Sequence, residues 1–257
     1  MNIFESHAHY DDSQFDIDRE ELIEKIKNEG IKKIISAGYS KKGSIDTVKL
    51  SEKYEFIYST VGISPNDIEE NYIEDIKEIE KLLESNNKKI VAVGEIGLDY
   101  HYDTDKKMQK EAFIKQIELA NKYNLPIVIH TRDAVMDTIQ ILKENPVNKK
   151  GVFHCCPFNR ELVKEALKLG YYISFSGTVT FKNSKNAEEI VKLVPEDRFL
   201  VETDSPYLAP EPNRGKRNDS RNLKFIIKKI AEFKEKTEEE IAKLSYNNAV
   251  NIFNIKE

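Results

Sequence analysis

The sequence lacks the features that mark membrane, secreted and disulfide-stabilised proteins. No apolar run approaches the roughly 20 residues that a membrane-spanning helix needs. Met1 leads directly into a short apolar stretch, without the basic region and cleavage site of a secretory leader. The only two cysteines, Cys155 and Cys156, are adjacent, which makes an ordinary disulfide between them sterically unfavourable. These absences predict a cytoplasmic protein that does not enter the membrane.

The sequence also lacks an excess of positive charge. The 257 residues contain 40 Lys and Arg against 45 Asp and Glu, which gives a formal net charge of -5 at pH 7. This balance argues against a protein that coats nucleic acid, although an enzyme can hold phosphates with metal ions and a few arginines. The chain also has no internal repeat, low-complexity tract or linker. We therefore expect a single domain over residues 1–257, and nothing indicates an obligate protein partner.

Apolar strands and amphipathic helices alternate along the whole chain. The predicted strands cover residues 3–5, 31–37, 56–61, 90–95, 126–129, 151–153, 171–175 and 199–201. The predicted helices cover residues 17–26, 45–54, 73–83, 108–123, 134–142, 162–169, 187–194, 223–233 and 237–253. Strict alternation is typical of an α/β fold with a parallel sheet, and eight strands in about 250 residues match a (β/α)8 TIM-type barrel. A doubly wound open sheet is the alternative, but it requires a glycine-rich phosphate loop where this chain has His7-Ala8-His9.

Histidines and carboxylates stand at the ends of several predicted strands. The group consists of His7, His9, Glu95, His130, His154 and Asp204. The carboxyl ends of all strands in a barrel point to one face, so these side chains are expected to converge there. Gly94 and Gly97 leave room beside Glu95 for a close neighbour.

Metal binding explains this group better than packing does. A lone buried histidine is usually a core residue, but the spacing of His7 and His9 places both imidazoles on the same side of a strand. Neutral imidazole and carboxylate are ligands for zinc, manganese, magnesium or similar divalent ions. Six ligands exceed the need of one tetrahedral ion, so we expect two ions with Glu95 as the bridging carboxylate. Two ions about 3.5–4 Å apart can bind a phosphodiester, activate water and stabilise the leaving oxygen, which predicts a hydrolase.

At these residues the chain resembles the TatD-like metal-dependent deoxyribonucleases, a family of amidohydrolase-type barrels. The resemblance covers nearly the whole length. The matching motifs are Ser6-His7-Ala8-His9, Val93-Gly94-Glu95-Ile96-Gly97-Leu98-Asp99-Tyr100, Pro126-Ile127-Val128-Ile129-His130-Thr131-Arg132, Phe153-His154-Cys155, Glu202-Thr203-Asp204-Ser205-Pro206-Tyr207-Leu208, Arg214-Gly215-Lys216-Arg217-Asn218 and Asn248-Ala249-Val250-Asn251-Ile252-Phe253. The resemblance implies a two-metal nuclease that trims DNA, as a 3′-5′ exonuclease on single-stranded or frayed ends.

The resemblance also implies roles for individual residues. One ion would be held by His7, His9, Glu95 and Asp204, and the other by Glu95, His130 and His154. Glu95 and Asp204 are the expected catalytic residues. In similar barrels the aspartate touches one ion and takes the proton from the attacking water.

The chain departs from the family pattern at four places. Glu5 stands where the family usually has Asp, and Ser64 replaces a histidine thought to contact substrate. The usual Phe-Ser-Gly after His154 becomes Cys-Pro-Phe at 156–158, and the usual Asn-Glu-Pro becomes Asn-Asp-Ser at 218–220. All the metal ligands match, so these departures concern the substrate rather than the reaction class.

Further residues are candidates for substrate contact. Arg132, directly after a ligand, is placed to clamp a phosphate, although an ordinary ion pair explains it equally well. Arg214 and Arg217, in the long loop after the last strand, are candidates to grip a DNA backbone or to form a solvated surface. Tyr100 is a candidate to stack on a base or to pack at the barrel rim. Ser64 is the fifth candidate for substrate contact.

Two other functions stay open at the level of sequence. One is a different hydrolase with the same metal centre, acting on a small ester, a lactone or an aminoacyl-tRNA. The other is a binding module with a structural metal. Structural metal sites close their coordination, whereas these ligands are expected at an open barrel mouth, which disfavours the second alternative.

Overall fold

Eight parallel strands in chain order form one sheet in the computed structural model, which describes residues 1–256. The strands are β1 (Ile3–Ala8), β2 (Ile31–Ala37), β3 (Ile57–Val61), β4 (Ile90–Asp99), β5 (Ile127–Arg132), β6 (Gly151–Phe153), β7 (Tyr172–Phe175) and β8 (Phe199–Val201). The sheet curves into a nearly closed barrel with helices outside it, so the predicted α/β barrel is confirmed.

The first and last strands meet at a seam that side-chain and backbone hydrogen bonds hold together. The Ser6 hydroxyl donates to the carbonyl oxygen of Val201 over 2.9 Å. Just beyond β8, the Asp204 N–H donates to the His7 carbonyl over 3.0 Å, and the His9 N–H donates to the Ser205 carbonyl over 2.7 Å. The seam therefore joins the first and last strands of the sheet at three of the predicted site residues, His7, His9 and Asp204.

Nine α-helices follow the strands within residues 1–256. They are α1 (Arg19–Asn28), α2 (Lys41–Lys53), α3 (Tyr72–Glu84), α4 (Lys106–Lys122), α5 (Val135–Glu144), α6 (Arg160–Lys168), α7 (Ala187–Leu193), α8 (Leu223–Lys234) and α9 (Glu238–Ile252). α4 illustrates their amphipathic character, because Phe113, Ile117 and Ala120 are fully buried at helical spacing. None of the helices described combines the length and hydropathy of a membrane span.

The apolar core has two parts, one inside the barrel and one between the barrel and the helices. Phe4, Ile35, Val128 and Leu200 come from β1, β2, β5 and β8, and a cluster that joins β5 to β1 can form only across the inside of the barrel. The end of α9 covers this interior from the amino ends of the strands, and the Phe253 ring stacks on the Phe4 ring at 6.3 Å. The apolar interior leaves the carboxyl ends of the strands for polar side chains.

Three strands extend further than the apolar pattern predicts. β1 continues through His7, β4 passes Glu95 and ends at Asp99, and β5 includes His130. The prediction of strand ends at these ligands is therefore wrong. The backbone ladder between β4 and β5 continues to the pair Asp99 and Arg132, because its hydrogen bonds do not depend on apolar side chains.

The two glycines beside Glu95 make room for the neighbouring strand. A Cβ at Gly97, whose φ is +145°, would lie 2.0 Å from the carbonyl oxygen of His130. A Cβ at Gly94 would lie 2.6 Å from the Val128 Cβ. The sequence predicts a close neighbour beside Glu95, and the structure shows that this neighbour is β5. Because the two glycines have no side chains, β5 can lie close enough to bring His130 next to Glu95.

Candidate metal centre

One oxygen of Glu95 faces a first pair of histidines, at the seam between β1 and β8. Glu95 Oε2 lies 3.4 Å from His7 Nε2 and 3.7 Å from His9 Nε2. Asp204 Oδ1 faces the same two nitrogens at 3.5 Å and 3.3 Å. The two imidazole nitrogens lie only 3.2 Å apart. Two carboxylates and two imidazoles thus surround one point, as the ligand assignment for the first ion requires.

The other oxygen of Glu95 faces a second pair of histidines. Glu95 Oε1 lies 3.0 Å from His130 Nδ1 and 3.2 Å from His154 Nε2, and these two nitrogens are 3.2 Å apart. The rings of His7 and His154 stack at 4.0 Å, which joins the two halves of the cluster. Because its two oxygens face different histidine pairs, Glu95 has the arrangement that a bridging carboxylate needs.

The donor set of this cluster fits divalent cations. Three overlapping groups of its histidines and carboxylates each present ligand atoms within 4.8 Å of one another. Burial alone would lower the pKa of His9, but the hydrogen bond and charge of Asp204, with the charge of Glu95, raise it to about 9. Burial would raise the pKa of Glu95, yet the charge of His154 and the histidine hydrogen bonds hold it well below its usual value. The cluster therefore favours positive charge, which protons or metal ions can supply.

Hydrogen bonds from behind orient the candidate ligands. Asp99 Oδ2 lies 3.0 Å from His130 Nε2, and the carbonyl oxygen of Ala37 lies 2.9 Å from His9 Nδ1. Glu202, fully buried, has Oε1 3.5 Å from His154 Nδ1 and accepts the Cys155 N–H over 2.6 Å. Carboxylates and carbonyls behind a metal-binding histidine hold its ring in place and select the nitrogen that faces the metal. Sequence reasoning missed Asp99 and Glu202 as site residues, although both lie within the motifs that carry the family resemblance.

Glu5 acts across the seam rather than in the cluster. Its carboxyl group accepts the Thr203 N–H over 2.9 Å, the Thr203 hydroxyl over 2.6 Å and the His7 N–H over 3.3 Å. Burial raises the pKa of Glu5 to about 8, against the lowering effect of these hydrogen bonds. Glu5, which is longer than the Asp that the family usually has here, thus connects β1 to Thr203, the residue before Asp204.

A cavity of about 890 Å³ opens above the cluster at the carboxyl ends of the strands. Arg132 lines it and is the one Lys or Arg among residues 1–256 that does so; its guanidinium lies 5.6 Å from the centre of the Tyr102 ring. Ser64 also lines the cavity, and its hydroxyl donates to Asp67 over 2.9 Å. Tyr207 lines the cavity as well, and its N–H donates to the Asp204 carbonyl over 2.9 Å. Two of the five predicted substrate contacts, Arg132 and Ser64, therefore face the space above the cluster.

The other three predicted substrate contacts lie outside this cavity. The Tyr100 hydroxyl donates to Asp137 over 2.6 Å, at the rim beside α5. The Arg214 guanidinium covers the Phe181 ring at 4.2 Å. Arg217 makes a double hydrogen bond with Asp18, over 2.8 Å and 2.6 Å. None of the three lines the cavity in this structure, and each side chain contacts a partner on the protein.

Both cysteines are free, as their adjacency predicts. Cys155 lines the cavity, and its thiol lies 3.1 Å from the Ser176 hydroxyl. Burial raises the pKa of the Cys155 thiol well above its usual value, which disfavours the thiolate form.

Comparison with known proteins gives one consistent result. A family model described as TatD related DNase matches residues 4–254. YabD of Bacillus subtilis, an uncharacterized metal-dependent hydrolase, is 44% identical over 255 residues, which cover 98% of this chain and 99% of YabD. YcfH of Escherichia coli K12, also an uncharacterized metal-dependent hydrolase, is 35% identical over 260 residues, which cover 99% of this chain and 97% of YcfH. The crystal structure of YjjV, a TatD homolog from Escherichia coli K12, superposes with a TM-score of 0.94 at 26% identity and covers 99% of this chain and 98% of YjjV.

Proposed function

The chain belongs to the TatD-related DNase family of metal-dependent hydrolases, and on that premise we propose that it hydrolyses phosphodiester bonds at DNA ends. The proposed direction is 3′ to 5′, on single-stranded or frayed ends. The observation that carries the proposal is the position of Glu95, whose two oxygens face two separate histidine pairs on the floor of an open cavity.

We propose that two divalent cations, such as zinc, manganese or magnesium, bind at this floor. The first would be held by His7, His9, Glu95 and Asp204, and the second by Glu95, His130 and His154. When bound, two such ions polarise a phosphoryl oxygen and lower the pKa of a water molecule.

Asp204 is the proposed proton acceptor. Burial would raise the pKa of its carboxyl group, but the hydrogen bond with His9 and the charges of His154, His9 and His7 hold the pKa below its usual value. The carboxylate is therefore ionised at neutral pH and lines the cavity, where it can accept a proton from an attacking water.

Arg132 is the proposed clamp for the substrate phosphate. Its guanidinium can donate two parallel hydrogen bonds to phosphate oxygens, and Tyr102 beside it offers an aromatic face to a terminal base. Ser64 lines the cavity where related proteins usually have a histidine, and its hydroxyl donates to Asp67. A cavity of about 890 Å³ accepts a ligand of one or two nucleotides, which supports action at an end rather than within a duplex.

The scarcity of cations in the cavity also favours a second candidate. Long nucleic acids are usually held by several lysines or arginines, whereas Arg132 alone lines this cavity within residues 1–256. A hydrolase that acts on a small ester, a lactone or an aminoacyl-tRNA end would need only one such contact.

Cleavage of single-stranded oligonucleotides labelled at one end or the other tests both candidates. Stepwise shortening from the 3′ end, lost with a chelator and restored by metal, supports the proposal. Arg132→Ala should raise KM for DNA, whereas Arg217→Ala, which removes an arginine outside the cavity, should leave KM unchanged. Turnover of a small-ester panel without cleavage of DNA would contradict the nuclease assignment.

A further inference from the structure

A second cavity lies at the opposite end of the barrel from the metal centre. It has a volume of about 600 Å³ and opens among the loops that lead into β4, β5, β6, β7 and β8. The last residues of α9 and the turn after it, from Asn251 to Asn254, complete its wall. Since the catalytic face of such barrels is at the carboxyl ends of the strands, the proposed nuclease reaction does not use this cavity.

The lining of this second cavity carries only positive charge. Lys88, Lys149, Lys150 and Arg198 line it, and no carboxylate of residues 1–256 does so. The chain as a whole has a net charge of -5, so a cavity with four cations and no lining acid stands out from the rest of the molecule. Low-dielectric walls around one sign of charge focus the field and attract ions of the opposite sign.

Three of these cations are not engaged by the protein. The side chains of Lys88, Lys149 and Lys150 form no hydrogen bond or ion pair with any residue that the structure describes. Other lysines differ: Lys122 pairs with Glu80 over 2.6 Å, and Lys89 donates to three backbone carbonyls. The three lining lysines therefore keep their hydrogen-bond donors available for a ligand.

Arg198 adds a fixed donor to the same wall. One of its terminal nitrogens donates to Asp197, and its guanidinium lies over the Tyr172 ring at 5.2 Å, which restricts its position. The amide side chains of Asn124 and Asn254 line the cavity as well and have no hydrogen-bond partner among residues 1–256. A concave site with several cations and free amides matches the chemistry that recognises phosphate groups.

We propose that this second cavity binds a small anion with two linked phosphate groups, such as inorganic pyrophosphate or a nucleoside diphosphate. Several unpaired cations in one cavity favour a ligand with more than one negative charge. The cavity volume is in the range of small-molecule sites. A nucleic acid strand would instead need a basic track that continues beyond a single cavity.

Backbone-amide NMR of the metal-loaded protein, titrated with inorganic pyrophosphate, tests the proposal by location. The amides of Asn124 and Gly170 line the second cavity, whereas Gly97 and Thr203 report on the metal centre. We expect saturable shifts of the cavity amides with a Kd below about 1 mM. A parallel titration with ADP distinguishes the two sources of the diphosphate, since added affinity indicates a nucleotide and equal affinity indicates the inorganic ion.

Charge-matched double variants provide the control. Lys149→Gln with Lys150→Gln should weaken pyrophosphate binding by about tenfold or more, because two charge-assisted hydrogen bonds are lost. Lys224→Gln with Lys228→Gln removes the same charge from the exposed face of α8 and should leave the Kd unchanged.

Three results would overturn the proposal. Shifts confined to the metal-centre amides would mean that the second cavity does not bind the anion. Equal weakening in both double variants would mean non-specific attraction. Tighter binding of a single-stranded oligonucleotide than of pyrophosphate at the same amides would assign the cavity to nucleic acid instead.

Discussion

Replacing Asp204 by Asn tests the proposed proton acceptor with little change in shape. Asn keeps one oxygen that can face His7 and His9, which now lie 3.5 Å and 3.3 Å from Asp204 Oδ1. The backbone at this position has a φ of 57°, in the left-handed region that Asn tolerates as well as Asp does. The substitution therefore removes the charge and the ability to accept a proton while preserving the fold.

The expected loss is large and specific to the chemical step. Loss of a general base lowers a rate by about 10²–10⁴-fold, which corresponds to about 3–5 kcal/mol of activation free energy. Binding of a DNA end should fall far less, because Arg132 and the other lining side chains are unchanged. We therefore expect a drop in kcat with a nearly constant Kd for the oligonucleotide.

Single-turnover cleavage of a labelled single strand, run beside a binding titration and a metal assay, measures these quantities. Asp67→Asn is the matched control, because Asp67 lines the same cavity and accepts the Ser64 hydroxyl without joining the cluster. Near-normal turnover of the Asp204→Asn variant with its metal retained would refute the role of Asp204 as the base. The Asp204 side chain would then serve only to hold its neighbours in place, a role that the Asn side chain can also fill.

Three further predictions concern the metals and the backbone. Glu95→Ala should lose both ions on dialysis, whereas His154→Ala should keep the first; equal metal contents would exclude the bridge. A chelator should abolish hydrolysis but leave the far-UV circular dichroism nearly unchanged, because the apolar core contains none of the candidate metal ligands. Cooperative unfolding on chelation would contradict this prediction. Gly97→Ala should lower the free energy of unfolding by about 3 kcal/mol or more, because its Cβ would meet the His130 carbonyl at 2.0 Å. Gly215→Ala, with a positive φ but nothing within 4 Å, should cost about 1 kcal/mol, and similar losses in urea titrations would refute the steric argument.

The architecture was predictable because its signals are local. Apolar strand segments separated by amphipathic helices repeat along the chain, and α9 begins with a capping box formed by Thr237 and Glu240, which lie three residues apart in the sequence. Strand ends were less predictable. β4 continues for four residues beyond Glu95, because its ladder with β5 is made by the backbone and leaves no trace in the apolar pattern.

The candidate ligands were predictable for a different reason. Imidazoles and carboxylates at or near the ends of parallel strands must face one side of a barrel, whatever the details of the packing. The residues that hydrogen-bond to these ligands could not be predicted, because such contacts depend on which strands lie side by side. Asp99 and His130 are 31 residues apart in the chain, and only the pairing of β4 with β5 brings their side chains to 3.0 Å.

The sequence by itself determined the fold class, the family and the kinds of side chain available for metal binding. Only the tertiary structure decided which oxygen of Glu95 faces which histidine pair and which arginines reach the site. Arg132 lines the cavity, while Arg217, equally basic and within a family motif, reaches Asp18 across 199 residues of chain. The physical reason is that residue type and periodicity are properties of the chain, whereas the partner that a charged side chain meets depends on how the barrel closes.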